Sequence, residues 1–518
     1  MVSAGFRTIL SLGLMTTLAL PFSSVSAEPK SGGTLTLAIK RRMNLMNPLV
    51  NTGSTEHNIR TLMFEPLLGM DLKGNIQPRL AESWKISEDG KAYVFQLRKD
   101  VKFHDGREMT AADVKFSMDY TMNKRNGAYG FRQLTDVQSV ATTGKHSLTI
   151  RLKKASTPFL GALTSIQTFS VVPKESLEQG VSKPSSFPPG TGPFKFVKWE
   201  PRQRIVFARF DDYWGEKAFV DSVVLRPIQD ATVRFTALRT GDVDMVEISP
   251  YEWVRKVKEG GVSGIRAVPA SHASFRRVTF NVKAPPFDDR KVRLAVAHAI
   301  DRQQALEAAY LGFGGATEQV YPDGHLWFVE DVEAKPHDPA RAKTLLREAG
   351  YKGEPVELMI SSGIYNEAVG VAVQSQLKKV GFNVKLNMVE RGTGLALRRS
   401  GKFAFRTGGG SVNADPYDAY IDFQCEPDSG KRIRNESGYC DPQVDSWLEK
   451  LRTEQDTEKR KALLRQIVSR LQADVPQVNL GFAPEFFTMR DHVKGFETDL
   501  NGIFVWPGGG LQRAWLDR

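Results

Sequence analysis

Side chains able to do covalent chemistry are sparse in this chain of 518 residues. It holds no GxSxG elbow, no HExxH pair, no Walker-type phosphate loop and no strand-linked GxGxxG. The eight histidines are dispersed, His57, His104, His272, His298 and His325 among them. No two stand at metal-ligand spacing with a carboxylate nearby. His298 falls on an amphipathic helix, where a structural histidine is the default, and Asp71 and Asp288-Asp289 have the setting of turns and caps. Neither catalysis nor a resident metal or cofactor is expected, which leaves binding.

The stretch best suited to hold a small molecule is Lys402–Asp422, KFAFRTGGGSVNADPYDAYID. Alternation over Lys402–Thr407 predicts a strand with Phe403 and Phe405 on one face and Arg406 opposite. Gly408-Gly409-Gly410-Ser411 then reads as a loop whose backbone N–H and C=O groups lack side-chain cover. Asn413 follows, and Asp415 caps a helix that has Pro416 at its first position. A glycine loop beside a helix N-terminus can hold a carboxylate or a polar chain; the alternative is a flexible linker. Arg406, with Arg391, suits a carboxylate-bearing ligand because a planar guanidinium meets carboxylate bidentately. Each could instead pair with a neighbouring acid. On the binding reading, Arg406→Ala weakens ligand affinity and leaves the melting temperature nearly unchanged.

These residues need a scaffold, and the length implies more than one core. Residues 1–27 read as a signal segment: Arg7, an apolar run Thr8–Leu20, Pro21, then Val25-Ser26-Ala27 at a small-x-small cleavage site. The apolar run is too short to span a bilayer, and no cysteine follows it, so a soluble periplasmic chain without a lipid anchor or membrane insertion is expected. The formal charge is +12, yet no basic run exceeds Lys40-Arg41-Arg42 and no nucleic-acid motif appears. A solvated basic surface is expected, able to favour anionic ligands at long range. Cys425 and Cys440, the two cysteines, lie in one polar loop with no histidine between them. In an exported chain they are expected to form a disulfide worth roughly 3 kcal/mol in the chain-entropy picture. A free thiol pair or half a metal site are the alternatives.

Leu80–Ser117 predicts a hairpin around Asp89-Gly90, then a helix opened by Thr110 and Asp113 as a capping box. Asp230 caps Ala231–Thr240, which Gly241 ends. Val356–Ile360, a helix around Val371–Val380 and Val384–Val389 read strand–helix–strand, the βαβ unit of an α/β lobe.

Several of these segments, together with Gly32-Gly33-Thr34-Leu35 leading to Asn47-Pro48, Gly190–Gly215 and Ala237–Asp244, resemble family 5 of the bacterial extracellular solute-binding proteins. Those are peptide, nickel and opine receptors of ABC importers. The resemblance implies an α/β, two-lobed periplasmic-binding-protein fold (type II, cluster C) with an extra β-rich subdomain in lobe I. Lobe I is expected at 28–276, with the insertion at roughly 66–186, lobe II at 277–486, and a return to lobe I at 487–518. It further implies a monomer that binds a peptide or other small solute and delivers it to an inner-membrane ABC permease. The ligand is expected to touch Asn44 in the N-terminal polar loop, Gly408, Gly409, Gly410, Ser411, Asn413 and Asp415. Two departures stand out. Peptide-binding members carry Gly-Trp where this chain has Gly408-Gly409, and they place an ammonium-pairing aspartate where this chain has Val412. A buried ammonium without a partner costs several kcal/mol, so Asp415 or Glu390 must substitute, or the solute is an opine, a sugar conjugate or a metal chelate. A periplasmic chaperone or sensing module is the alternative of another class.

Overall fold

The computed structural model describes residues 28–518 apart from 42–47, 50–53, 179–187, 271–273, 333, 362–363, 427–431, 433, 499–503 and 507–508. The signal segment and Asn44 lie outside the described residues. Two mixed sheets share most of the chain. In the first, Thr34–Ile39 is central, parallel to Ser222–Pro227 on one side and to Met245–Val246 on the other. Arg204–Arg209 and Phe194–Glu200 extend one edge, and Glu485–Arg490 with Ile265–Ala270 complete the other. Leu35, Leu37 and Ile39 pack with Phe207, Leu225 and Met489. Ala38 packs on the opposite side with Leu238 and Val246. A strand covered on both faces has no polar face to show, which explains the apolar run Leu37-Ala38-Ile39 at its end.

The second sheet runs in the order Gly315–Ala316, Gln477–Phe482, Ser274–Phe280, Phe405–Ser411, Val356–Ser361, Val384–Val389. Its last two strands are parallel and joined by the helix Ile364–Lys379, the predicted βαβ unit. Val373 and Leu377 of that helix share a core with Leu358, Ile360 and Phe405.

The chain leaves the first sheet after Ala270 and enters the second at Ser274; it returns between Phe482 and Glu485. The two passages are neighbours, since Ala270 pairs with Glu485 and Phe275 with Phe482. The expected boundaries near Arg277 and Phe486 thus fall inside strands. Both crossings are only a few residues long and have strand-forming sequence on either side, so no broad change of composition marks where the chain changes sheet.

A separate four-stranded antiparallel sheet, in the order Ala81–Ile86, Ala92–Leu97, Ser147–Leu152, Val137–Gly144, forms the insertion. Gly90 turns the hairpin at φ 67°, a conformation open to glycine at little cost. Tyr93, Phe95 and Leu97 point inward together, with Trp84 opposite Phe95. The capping box forms as predicted, the Thr110 N–H donating to Asp113 Oδ2 at 3.0 Å. Val114 and Met118 of the helix Ala111–Met122 close the core. The insertion also bears on the second lobe. The Thr157 N–H and hydroxyl donate to the Arg452 carbonyl at 2.8 and 3.1 Å, Arg452 is ion-paired with Asp136, and the Leu326 N–H donates to the Lys73 carbonyl at 2.9 Å. Because Phe95 is fully buried, Phe95→Ala should cost about 3–5 kcal/mol in a denaturant titration followed by tryptophan fluorescence. A cost below about 1 kcal/mol would mean that this core collapses around the gap.

Candidate functional site

Between the lobes lies a cavity of about 610 Å³, within the range of small-molecule sites. Its first-lobe wall comes from His57, Asn58 and Thr61 around the helix Ser54–Arg60, from Tyr129 and Gln133, from the turn Thr164–Thr168 and from Trp506. The second-lobe wall is Val412–Ala414, Asp418, Ile421, Asp422, Arg434 and Ala483. The strand Phe405–Ser411 delivers the first of these, and the short helix Pro416–Tyr420 with the turn after it delivers the acids. The lobes meet closely here: a Cβ placed on Gly161 would lie 3.3 Å from that of Ala414.

Of the expected site residues, Asn413 lines the cavity, and its carbonyl accepts a hydrogen bond from the Tyr321 hydroxyl at 3.0 Å. Gly408, Gly409, Gly410 and Ser411 form no loop. They continue the strand and pair with Arg277, Arg276, Phe275 and Ser274. One edge of this stretch is engaged in that ladder, while the pairing of the other edge with Val356–Ser361 stops at Arg406, and the glycines make room for bulk: a Cβ on Gly408 would overlap the Arg406 guanidinium, and one on Gly410 the Phe275 ring. Arg406 takes the alternative that the sequence left open. It is 5% exposed and its Nε and Nη2 donate to Glu436 at 2.5 and 2.8 Å. Asp415 caps its helix by accepting from the Tyr417 N–H at 2.9 Å, while Arg460 Nη2 donates to both its oxygens at 2.8 and 2.7 Å. Glu390 and Arg391 lie exposed at the start of the helix Arg391–Arg399, after the outermost strand of the second sheet, and are not among the residues lining the cavity. Val412 is buried and does line it.

Cys425 and Cys440 are joined as a disulfide. The loop they close carries Glu436, the partner of Arg406, and Arg434 on the cavity wall. No local pattern marks Glu436 as that partner, because 30 residues separate the pair.

Electrostatics divides the lining. Glu65 and Arg79 touch the cavity yet are spoken for: Arg79 Nε lies 2.8 Å from Glu65 Oε1, and the Tyr213 hydroxyl and Trp214 Nε1 donate to the same carboxylate at 2.9 and 3.0 Å. Burial, aided by Arg60, lowers the His57 pKa to about 4, so its ring is neutral at pH 7. Asp418 behaves oppositely: burial first, and the charge of Asp415 next, push its carboxyl up to about 7. Asp422 is also raised by burial, with Arg277 Nη2 4.0 Å away. The sequence reading missed Asp418 and Asp422. Their signal was the spacing Asp415-x-x-Asp418-x-x-x-Asp422, which keeps acids on one side of the turn after the cap.

Residues 75–431 match the family described as bacterial extracellular solute-binding proteins, family 5 Middle, and the chain belongs to that family. The dipeptide-binding protein of Escherichia coli (strain K12) is 27% identical over 525 residues, spanning 95% of this chain and 96% of that protein. Among solved structures, the Helicobacter pylori periplasmic binding protein DppA in complex with the peptide STSA aligns with a TM-score of 0.78 at 25% identity, covering 94% of this chain and 99% of that one. The binding protein AgaA of A. tumefaciens R10 in complex with agropinic acid aligns at 0.76 and 27%, over 94% and 99%. The two-lobed fold and the solute-binding class are therefore those of periplasmic components of ABC importers.

Glu436 also meets Arg398 at 3.1 Å, so removing Arg406 weakens its pairing without orphaning it. Arg406→Ala should cost about 1.5–3 kcal/mol, the worth of hydrogen bonds to a charged group, read as a lower melting temperature. An unchanged melting temperature with lost affinity would restore the binding role read from the sequence.

Proposed function

We propose that the chain is a periplasmic receptor that closes on a peptide or peptide-like solute and hands it to an inner-membrane ABC permease, making and breaking no bond. One observation carries this reading: a cavity of ligand size is walled by both lobes, and the lobes are connected by two adjacent crossings. Adjacent crossings form a hinge, because bending at two neighbouring points changes the cleft while each sheet keeps its own pairing. A solute favours the closed form only by the extra affinity it has for it. The full-length likeness to dipeptide- and peptide-binding proteins supports the cargo class. The leader pattern at 1–27 supports export, and among the described residues no helix is long and apolar enough to cross a membrane. A non-peptide solute is the second reading. It is favoured by apolar Val412 in the cavity wall and by the likeness to a binding protein solved with agropinic acid.

A thermal-shift screen with dipeptides, tripeptides, agropinic acid and nickel chelates, followed by calorimetry, tests the proposal. Ligand that binds only the folded form raises the melting temperature with concentration. Peptides are expected to do so and to be recovered unchanged. Turnover of a bound solute, or response to the non-peptides alone, would overturn it.

A further inference from the structure

We propose that Asp418 selects the cargo by its cationic group, so that the solute carries a protonated amine or guanidinium where it meets the second-lobe wall. The inference rests on the cavity being the solute site and adds what that site demands of its ligand. Asp418 lines the cavity and, among the described residues, has no cation at ion-pairing distance. Two of the three neighbouring cations are already committed. Arg460 is held by Asp415 and Arg452 by Asp136. Arg434 lies exposed on the same wall, where solvent screens it. Asp422, one helical turn on, has Arg277 4.0 Å from it, so among the described acids of the second-lobe wall Asp418 is the one without a counter-charge at ion-pairing distance; Glu485 on the first-lobe side also lines the cavity but is exposed to solvent. Asp415 adds negative charge from the same turn.

A half-buried carboxylate without a partner destabilises the empty protein, and a ligand cation removes that cost by supplying the missing charge. The sign follows from linkage. The carboxyl, near 3.8 when unfolded, is raised to about 7 in the folded chain. Its penalty is absent at low pH, grows as pH rises from about 4 and is complete above about 7. A residue serving only structure would stabilise the empty chain; a binding residue is kept at a cost to it.

Asp418→Asn and Asp418→Glu distinguish the two. At pH 8 the unliganded Asn variant should melt above the wild type, and the difference should vanish near pH 4. Calorimetry at pH 8 then compares Ala-Phe and Ala-Ala-Phe with their N-acetylated forms, and arginine amide with a neutral sugar. Loss of roughly tenfold to a hundredfold in affinity on acetylation and in the Asn variant, with partial recovery in the Glu variant, is the expected result. Peptide binding that survives acetylation or Asp418→Asn overturns the inference and leaves the peptide reading standing. Binding of arginine amide alone, lost in the Asn variant, overturns the peptide reading and keeps the inference. Binding of the sugar alone overturns both. If no probe binds, the melting comparison still decides: an Asn variant no more stable than wild type at pH 8 ends the proposal.

Discussion

A charge removed from water must find a partner inside the fold, and this requirement sorts the polar residues around the cleft into those that build it and those left to bind. Glu436 illustrates the first kind. Burial alone would raise its carboxyl, but Arg406, with Arg277 and Arg398 further off, holds it below the usual range. Arg406 has both ends of its guanidinium on that one carboxylate, and Asp415 is enclosed by Arg460 in the same way. Replacing one member of such a pair removes charge that offsets the other's desolvation, in part only for Glu436, which keeps Arg398 at 3.1 Å. The pairs consequently fix the strand end and the short helix from which the second-lobe wall projects.

That wall must also move as a unit. The two passages between the sheets lie side by side, and the strands flanking them, Ile265–Ala270 with Glu485–Arg490 and Ser274–Phe280 with Gln477–Phe482, are hydrogen-bonded pairs on either side of the gap. The first pair contributes Ala270, Phe487 and Met489 to one core and the second contributes Val278, Phe280, Val478 and Leu480 to another, while Phe486 of the first pair packs into that second core beside the gap. The disulfide serves the same end locally, closing the loop that brings Glu436 under Arg406 and Arg434 to the cavity.

How far the sequence foretold this depended on the range of the interactions concerned. The Asp89-Gly90 hairpin, the Thr110–Asp113 box, the Asp230 cap with Gly241 at the helix end and the parallel βαβ unit were all legible, because each is decided within a few residues. The triple glycine misled because its cause is across the sheet. Gly408 and Gly410 yield space to the Arg406 guanidinium and the Phe275 ring, and a missing side chain looks the same in sequence whether it frees a loop or admits a neighbour. Arg406 misled for a related reason: a guanidinium suited to a ligand carboxylate is equally suited to Glu436, and only the fold shows which is within reach. The first-lobe wall left almost no trace, since His57, Gln133 and Thr164–Thr168 converge from a helix and two turns far apart in the chain.

The two walls consequently do different work. The first-lobe side offers hydrogen-bonding groups, with His57 kept uncharged by burial, the Glu65–Arg79 pair satisfied within its own lobe, and Asp71 and Glu485 as further carboxylates of the lining. The second-lobe side holds Asp418, Asp422 and the exposed Arg434. A charged solute feels such groups whether or not the cleft is closed. Contacts that need both walls form only when the lobes come together. Those later contacts are the ones that differ between the open and closed forms, and a ligand can shift the balance only through such differences.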